Sequence, residues 1–233
     1  NLAAALSAFE KQPNSFVIRG VLNEGSPTQG VVRRVRGSDA PFRADPRRWI
    51  CIDLDDLDLP QQLADYNAHA LDVVKHAVTH LPPEFATANC WWQFSSSMGM
   101  KPGIRLHLWY WLHRAIDENE AKTWLASYPV DLALYNPVQP HYVAKPVFED
   151  GIADPVTARS GLLDPTKTMS DTVAVPNSFP PINANRPSRG AVGVRGTTFA
   201  ASREIIRDAQ GLVVDGREWW LYLQSIEACR VIQ

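Results

Sequence analysis

Trp49-Ile50-Cys51-Ile52-Asp53-Leu54-Asp55 is a short apolar run that closes on two acids. The run has the length and β-branched content of a central strand. In a strand, side chains two apart share a face, roughly 6.5 Å apart along the chain. Asp53 and Asp55 then point the same way from one strand end. Two carboxylates so placed can hold a hard divalent ion through oxygen. The same D-x-D also reads as a pair of exposed loop carboxylates opening the next helix.

Working outward, the alanine-rich stretch 2–11 predicts a helix. Residues 15–18 predict a strand, Gly25-Ser26-Pro27 a turn, and 31–35 a second strand. After Pro60, Leu63, Tyr66, Ala70, Val74, Ala77 and Leu81 recur at three- and four-residue steps, one face of an amphipathic helix. Asp58 is placed to cap it, and Pro82-Pro83 ends it. Strands are expected at 90–94, 104–112 and 142–148, with a polar helix near 117–127 opened by Asp117 and Glu120. Mixed strands and helices in this order predict an α+β fold rather than a doubly wound sheet.

Between 164 and 197 the composition shifts to Pro165, Pro176, Pro180, Pro181, Pro187, Gly190, Gly193 and Gly196. That composition predicts an extended connection. Beyond it, 199–209 and 219–231 predict short helices, the second capped through Asp215 and Glu218. The expected division is a domain over 1–165, a linker over 166–198 and a helical segment over 199–233.

The 233 residues carry 23 basic and 25 acidic side chains, 45% apolar and 21% charged. A disordered or collagenous chain is excluded by those proportions. Every apolar run is far shorter than about 18 residues, so no membrane span is expected. Cys51, Cys90 and Cys229 lie far apart, without a CxxC pair, which disfavours a disulfide framework and a cysteine zinc knuckle. An odd count suits a reducing compartment, and a cytoplasmic location in a bacterial cell or in the host of a virus or plasmid is expected. No G-x-x-x-x-G-K-[ST] loop and no G-x-S-x-G elbow occurs.

Charge is segregated locally. Arg33, Arg34, Arg36, Arg43, Arg47 and Arg48 precede Trp49, and Asp53, Asp55, Asp56 and Asp58 follow it. Such a division can separate a phosphate-binding surface from a metal site, or mark a solvated loop beside a helix. Alternation in the 104–112 strand puts Arg105 and His107 on one face and Leu106 and Leu108 on the other. That basic pair can bind phosphate; His107 also reads as a core histidine. Asp131, in Pro129-Val130-Asp131, is a candidate third carboxylate or a turn cap. His69, His76 and His80 read as solvated helix positions, lacking the glutamate of H-E-x-x-H. Trp91, Trp92, Trp109 and Trp111 offer stacking surfaces, but at strand spacing they read mainly as core.

Taken together, these segments resemble the archaeo-eukaryotic primase superfamily, the primase-polymerases. Its hDhD, s-x-H and hD motifs look like Ile52-Asp53-Leu54-Asp55, Arg105-Leu106-His107 and Val130-Asp131 here. The phrases Ser95-Ser96-Ser97-Met98-Gly99, Gly103-Ile104-Arg105-Leu106-His107-Leu108-Trp109 and Leu134-Tyr135-Asn136-Pro137-Val138-Gln139-Pro140-His141-Tyr142 look like the branch of phages, plasmids and integrated mobile elements. The likeness spans roughly residues 14–165. It departs from the family at Arg105, where many members have a small residue, and in lacking the zinc cluster of cellular primases.

The resemblance implies a palm, an RRM-like sheet preceded by an N-terminal αβ unit and followed by a small helical segment. It implies template-directed nucleotidyl transfer, by a primase or primer-extending polymerase. Asp53, Asp55 and Asp131 would hold two Mg²⁺ or Mn²⁺ ions. His107, Arg105, Ser95, Ser96, Ser97 and Lys101 would contact the nucleoside triphosphate. Arg33, Arg34, Arg36, Arg47 and Arg48 would track a single-stranded DNA template. A helicase domain in the same, longer polypeptide is the expected partner, since the chain opens on Asn1 and 215–231 looks like the start of a further module. Two other functions fit less of the pattern. A rolling-circle initiator needs a His-x-His pair, but His107 is followed at 109 by tryptophan. A non-catalytic single-strand- or origin-binding domain does not need the three acids.

Overall fold

The computed structural model describes residues 1–13, 15–26, 39–148 and 152–179. Helix α1 (Leu2–Glu10) is capped by the Asn1 side chain, which accepts from the Ala4 amide. Two short strands follow, β1 (Phe16–Val17) and β2 (Val21–Leu22), then β3 (Phe42–Arg43) and the long β4 (Arg47–Leu57). After α2 (Ala70–Val78) come β5 (Trp91–Phe94) and β6 (Ile104–Ile116). The chain continues through α3 (Glu118–Leu125), β7 (His141–Tyr142) and β8 (Ser160–Leu162). Helices and strands are mixed along the chain, an α+β arrangement.

The main sheet has the order β4-β6-β5-β8, antiparallel throughout. Pairing of β1 with β7 and of β2 with β3 makes two small ribbons beside it. Strand alternation divides the sheet into two buried faces. Ile50, Ile52, Leu54, Leu106, Leu108 and Tyr110 enter the larger core, with Val73, Val74 and Ala77 of α2 and Ala121, Trp124 and Leu125 of α3. Cys51, Trp91 and Trp109 face the other way, under Leu6 of α1, Leu134 and Val143. Burial on both faces is why β4 reads as an unbroken apolar run.

The helix expected across 63–81 is shorter than its periodicity implied. A 3₁₀ turn occupies Gln61–Leu63, and the α-helix begins only at Ala70. Asn67 interrupts it: its amide donates to the Pro155 carbonyl, and its oxygen accepts from the Thr157 amide and hydroxyl. Asp58 does not cap α2; His69 stands at its N-cap, without a side-chain capping hydrogen bond. By contrast, α3 opens on the expected capping box between Asp117 and Glu120. The strand expected at 142–148 pairs only at His141–Tyr142.

Residues 166–179, the first part of the expected linker, pack against the sheet. The Val173 amide donates to the Trp111 carbonyl, and the His113 amide to the Val173 carbonyl. Val173 and Val175 are buried, and Phe179 stacks on Trp124 at 5.9 Å. Alternating valines in this strap meet an unpaired edge of β6 beyond the end of β5, so it extends the sheet rather than spanning solvent. The strand expected at 31–35, the rest of the linker from 180 and both helices of 199–233 lie outside the described residues. Among the described residues, no helix is long and apolar enough to cross a membrane.

Candidate functional site

The β4–β6 ladder sets Asp53 directly opposite His107, and the β5–β6 ladder sets Gln93 on the other side of His107. The Asp53 and His107 side chains stand 3.4 Å apart, Oδ1 to Nε2, and each is about one-sixth exposed. One step further along the same face, Arg105 reaches the β4 acids. Its Nη1 donates to Asp55 Oδ1 at 3.0 Å, and its Nη2 lies 3.5 Å from Asp56 Oδ1.

A bulge between Leu54 and Leu57 aims these acids. Asp56 takes φ 62°, in the left-handed region, and Gly103 opposite takes φ 78°. A β-carbon on Gly103 would come within 2.9 Å of the Leu57 carbonyl oxygen, so glycine lets the two backbones close at this corner. Cross-strand pairing thus assembles what the sequence holds fifty residues apart.

Asp131 reaches the same place by a different route. β4 is an edge strand, and the carbonyls of Trp49, Cys51 and Asp53 each accept a donor from outside the sheet. Arg19 Nη1 serves Trp49 at 2.9 Å, Tyr135 Oη serves Cys51 at 3.0 Å, and the Asp131 amide serves Asp53 at 3.2 Å. The Asp131 carboxylate accepts from the Ala133 amide at 2.8 Å, capping the 3₁₀ turn Leu132–Tyr135. The three acids are thus neighbours in backbone. Among the described residues, however, no three His, Cys, Asp or Glu side chains are gathered as a ready-made metal cage.

The electrostatics follow from burial and charge. Burial pushes the Asp53 carboxyl up, but the charge and hydrogen bond of His107, helped by Arg105, carry it below the usual carboxylate value. Burial pulls His107 down, but Asp53 and then Asp55 lift it above an ordinary imidazole. Asp55 is raised by burial and by the negative charge of Asp53, which together outweigh Arg105. Asp53 is accordingly an ionised carboxylate beside a histidine that favours its proton, with a second acid that resists ionisation. A hard cation with oxygen preference suits this donor set, because it would relieve the Asp53–Asp55 repulsion.

Ser95 and Ser97 lie on the adjoining loop with their hydroxyls 3.1 Å apart, and Ser96 is exposed. The Lys101 amide donates to the Ser97 carbonyl at 3.0 Å, which folds Lys101 back towards that loop. Arg47 and Arg48 spend donors inside the protein: Arg47 on the Arg19 carbonyl and Asp45, Arg48 on the Leu112 and His113 carbonyls. Arg33, Arg34 and Arg36 lie outside the described residues.

Sequence reasoning assigned no role to His141. Its ring sits in the second core, 5.5 Å from Trp49 and 5.6 Å from Trp109. Burial, then the charges of Arg19 and His107, pull its pKa down to about 3, so it is a neutral imidazole behind the site. No local signal marked it, since its neighbours come from β4, β6 and residue 19.

No family profile and no solved structure matches the chain. Over 77 residues it is 40% identical to a protein of Escherichia phage T5 described as a "Putative replication origin binding protein". The match takes in 28% of this chain and 8% of the phage protein, so the chain spans only a small part of that relative.

Proposed function

We propose that this chain is the catalytic palm of a mobile-element replication protein, a DNA-dependent nucleotidyltransferase acting as primase, primer-extending polymerase or both. The observation that carries the reading is the Asp53–His107 pair, set in register on adjacent strands with the Asp131 amide on the Asp53 carbonyl. The likeness to a phage protein described by its role at a replication origin agrees with a replication setting.

In nucleotidyl transfer a 3′-hydroxyl attacks the α-phosphorus of a nucleoside triphosphate, and negative charge grows on the attacking and leaving oxygens. Asp53 and Asp55, joined by Asp131 after its side chain leaves the Ala133 amide, would hold Mg²⁺ or Mn²⁺. Such a metal pair supplies the positive charge that stabilises both oxygens. Asp53 raises the His107 pKa, and the protonated ring would present a cationic donor to a triphosphate. Arg105 is positioned to exchange Asp55 for a phosphate oxygen as the nucleotide enters, because its guanidinium already lies on the same face. The serine loop 95–97 offers hydroxyl donors at the rim. Single-stranded template, triphosphates and a helicase domain in a longer polypeptide are the partners of this reading.

A second reading is a non-catalytic origin- or single-strand-binding domain on the same scaffold, favoured by the description of the phage protein. Incubating the chain with a primed single-stranded template, labelled triphosphates and Mn²⁺ distinguishes the two. Product lengthening that disappears in Asp53→Asn and Asp131→Asn, with the fold intact, supports transfer. Template binding without any product supports the second reading. Lengthening that persists in both variants removes the acids from the chemistry.

A further inference from the structure

We propose that the cleft between the amino end of α1, the Trp91–Trp109–Trp111 face of the sheet and the 167–172 loop binds a single unpaired nucleobase together with its phosphate. The cleft encloses about 330 Å³. That volume is at the small end of ligand pockets, which run from roughly 300 to 1,000 Å³. It lies beyond the acidic cluster on the same sheet face. Trp111 is four residues from His107, roughly 13 Å along the strand. The proposal does not rest on the nucleotidyl-transfer reading.

Three features build the site. Trp91 and Trp109 are almost wholly buried, whereas Trp111 on the same face is 38% exposed, and all three line the cleft. The wall beside Trp111 is fixed, because the Val173 amide holds the Trp111 carbonyl at 2.8 Å. The loop that carries Lys167 is rigidly organised. The Asp164 carboxylate accepts from the Thr166, Thr168 and Met169 amides and from both threonine hydroxyls. That organisation holds Lys167 at φ 59°, a conformation costly for any residue but glycine. Among the described residues, Lys167 makes no ion pair, and it is one of the residues that line the cleft.

The chemistry of the lining selects the ligand. An indole face stacks on any base, and such stacking tolerates sequence. The Lys167 ammonium suits a phosphate, and the Asp171 carboxylate and Thr172 hydroxyl suit the amino and imino groups of a base edge. A paired base is sandwiched between its neighbours, so the ligand is a free nucleotide or a base of a single strand.

The test titrates the full chain, in EDTA, with a fluorescent single-stranded oligonucleotide and separately with a nucleoside monophosphate. EDTA removes any contribution from metal at the acidic cluster, so this result and that of primer extension fail independently. Trp111→Ala should bind roughly 5- to 150-fold more weakly. Trp111→Phe should recover most of the loss, and Lys167→Gln should weaken binding while flattening its dependence on salt. An iododeoxyuridine oligonucleotide should photocrosslink to Trp111. Binding of the oligonucleotide identifies a strand as the source, and binding of the monophosphate alone identifies a free nucleotide. Unchanged affinity in Trp111→Ala and Lys167→Gln, crosslinks that map elsewhere, or no binding of either probe overturns the proposal.

Discussion

Asp53 and His107 each owe their protonation state to the other: across the β4–β6 ladder, 3.4 Å apart, burial disfavours both charges and the pairing restores both. Asp53→Asn removes one half of this arrangement. The His107 pKa should then fall below its parent value, since burial is left opposed mainly by Asp55. Asp55 should fall too, having lost the negative charge that helps raise it. Imidazole and carboxyl NMR titrations of the two proteins check both shifts. An unmoved His107 would mean that the pair does not exist in solution.

Stability should fall on acidification through His141. In the folded chain this imidazole stays neutral down to about pH 3, against an ordinary value of 6.5. Between those limits the unfolded chain binds a proton that the folded chain refuses, so stability declines as pH drops, by up to about 1.4 kcal/mol per pH unit. His107 has the opposite sign and another window. Its raised pKa contributes stability that is complete below 6.5 and is lost as pH rises through the folded value. Urea unfolding at a series of pH values should show the acid slope in the parent. A flatter slope is expected in His141→Gln.

Gly103→Ala should damage the acidic corner without touching an acid. Its methyl would press on the Leu57 carbonyl and the Asp56 backbone, at a φ that alanine disfavours. A loss of about 1–3 kcal/mol in denaturant unfolding is expected. Displacement of the Asp55–Arg105 pair should accompany it, visible as a changed Asp55 titration.

The sequence carried β4, the separate strands β5 and β6 and the α3 capping box because each is written locally, in apolar content, turn residues or cap chemistry. It carried the acids of β4 and the face shared by Arg105 and His107 for the same reason. The meeting of Asp53 with His107 depends on ladder register, which is set between two strands far apart in the chain. No short window encodes that. Asp131 was legible as a cap, and it is one; its approach to Asp53 comes from satisfying an edge carbonyl. Leu63 and Tyr66 kept helical spacing while packing from a 3₁₀ turn and a loop, so periodicity overstated the helix. Proline content at 165–176 concealed the valines that dock the strap.

That strap sets the minimum length of any shortened version of the protein. Trimming after residue 165 would strip the cover from Trp111 and His113, take Phe179 off Trp124, and leave β6 with bare hydrogen-bonding groups ready to recruit another chain. A stop codon placed no earlier than position 180 keeps those surfaces dressed, and soluble yield on either side of that boundary reports the difference directly.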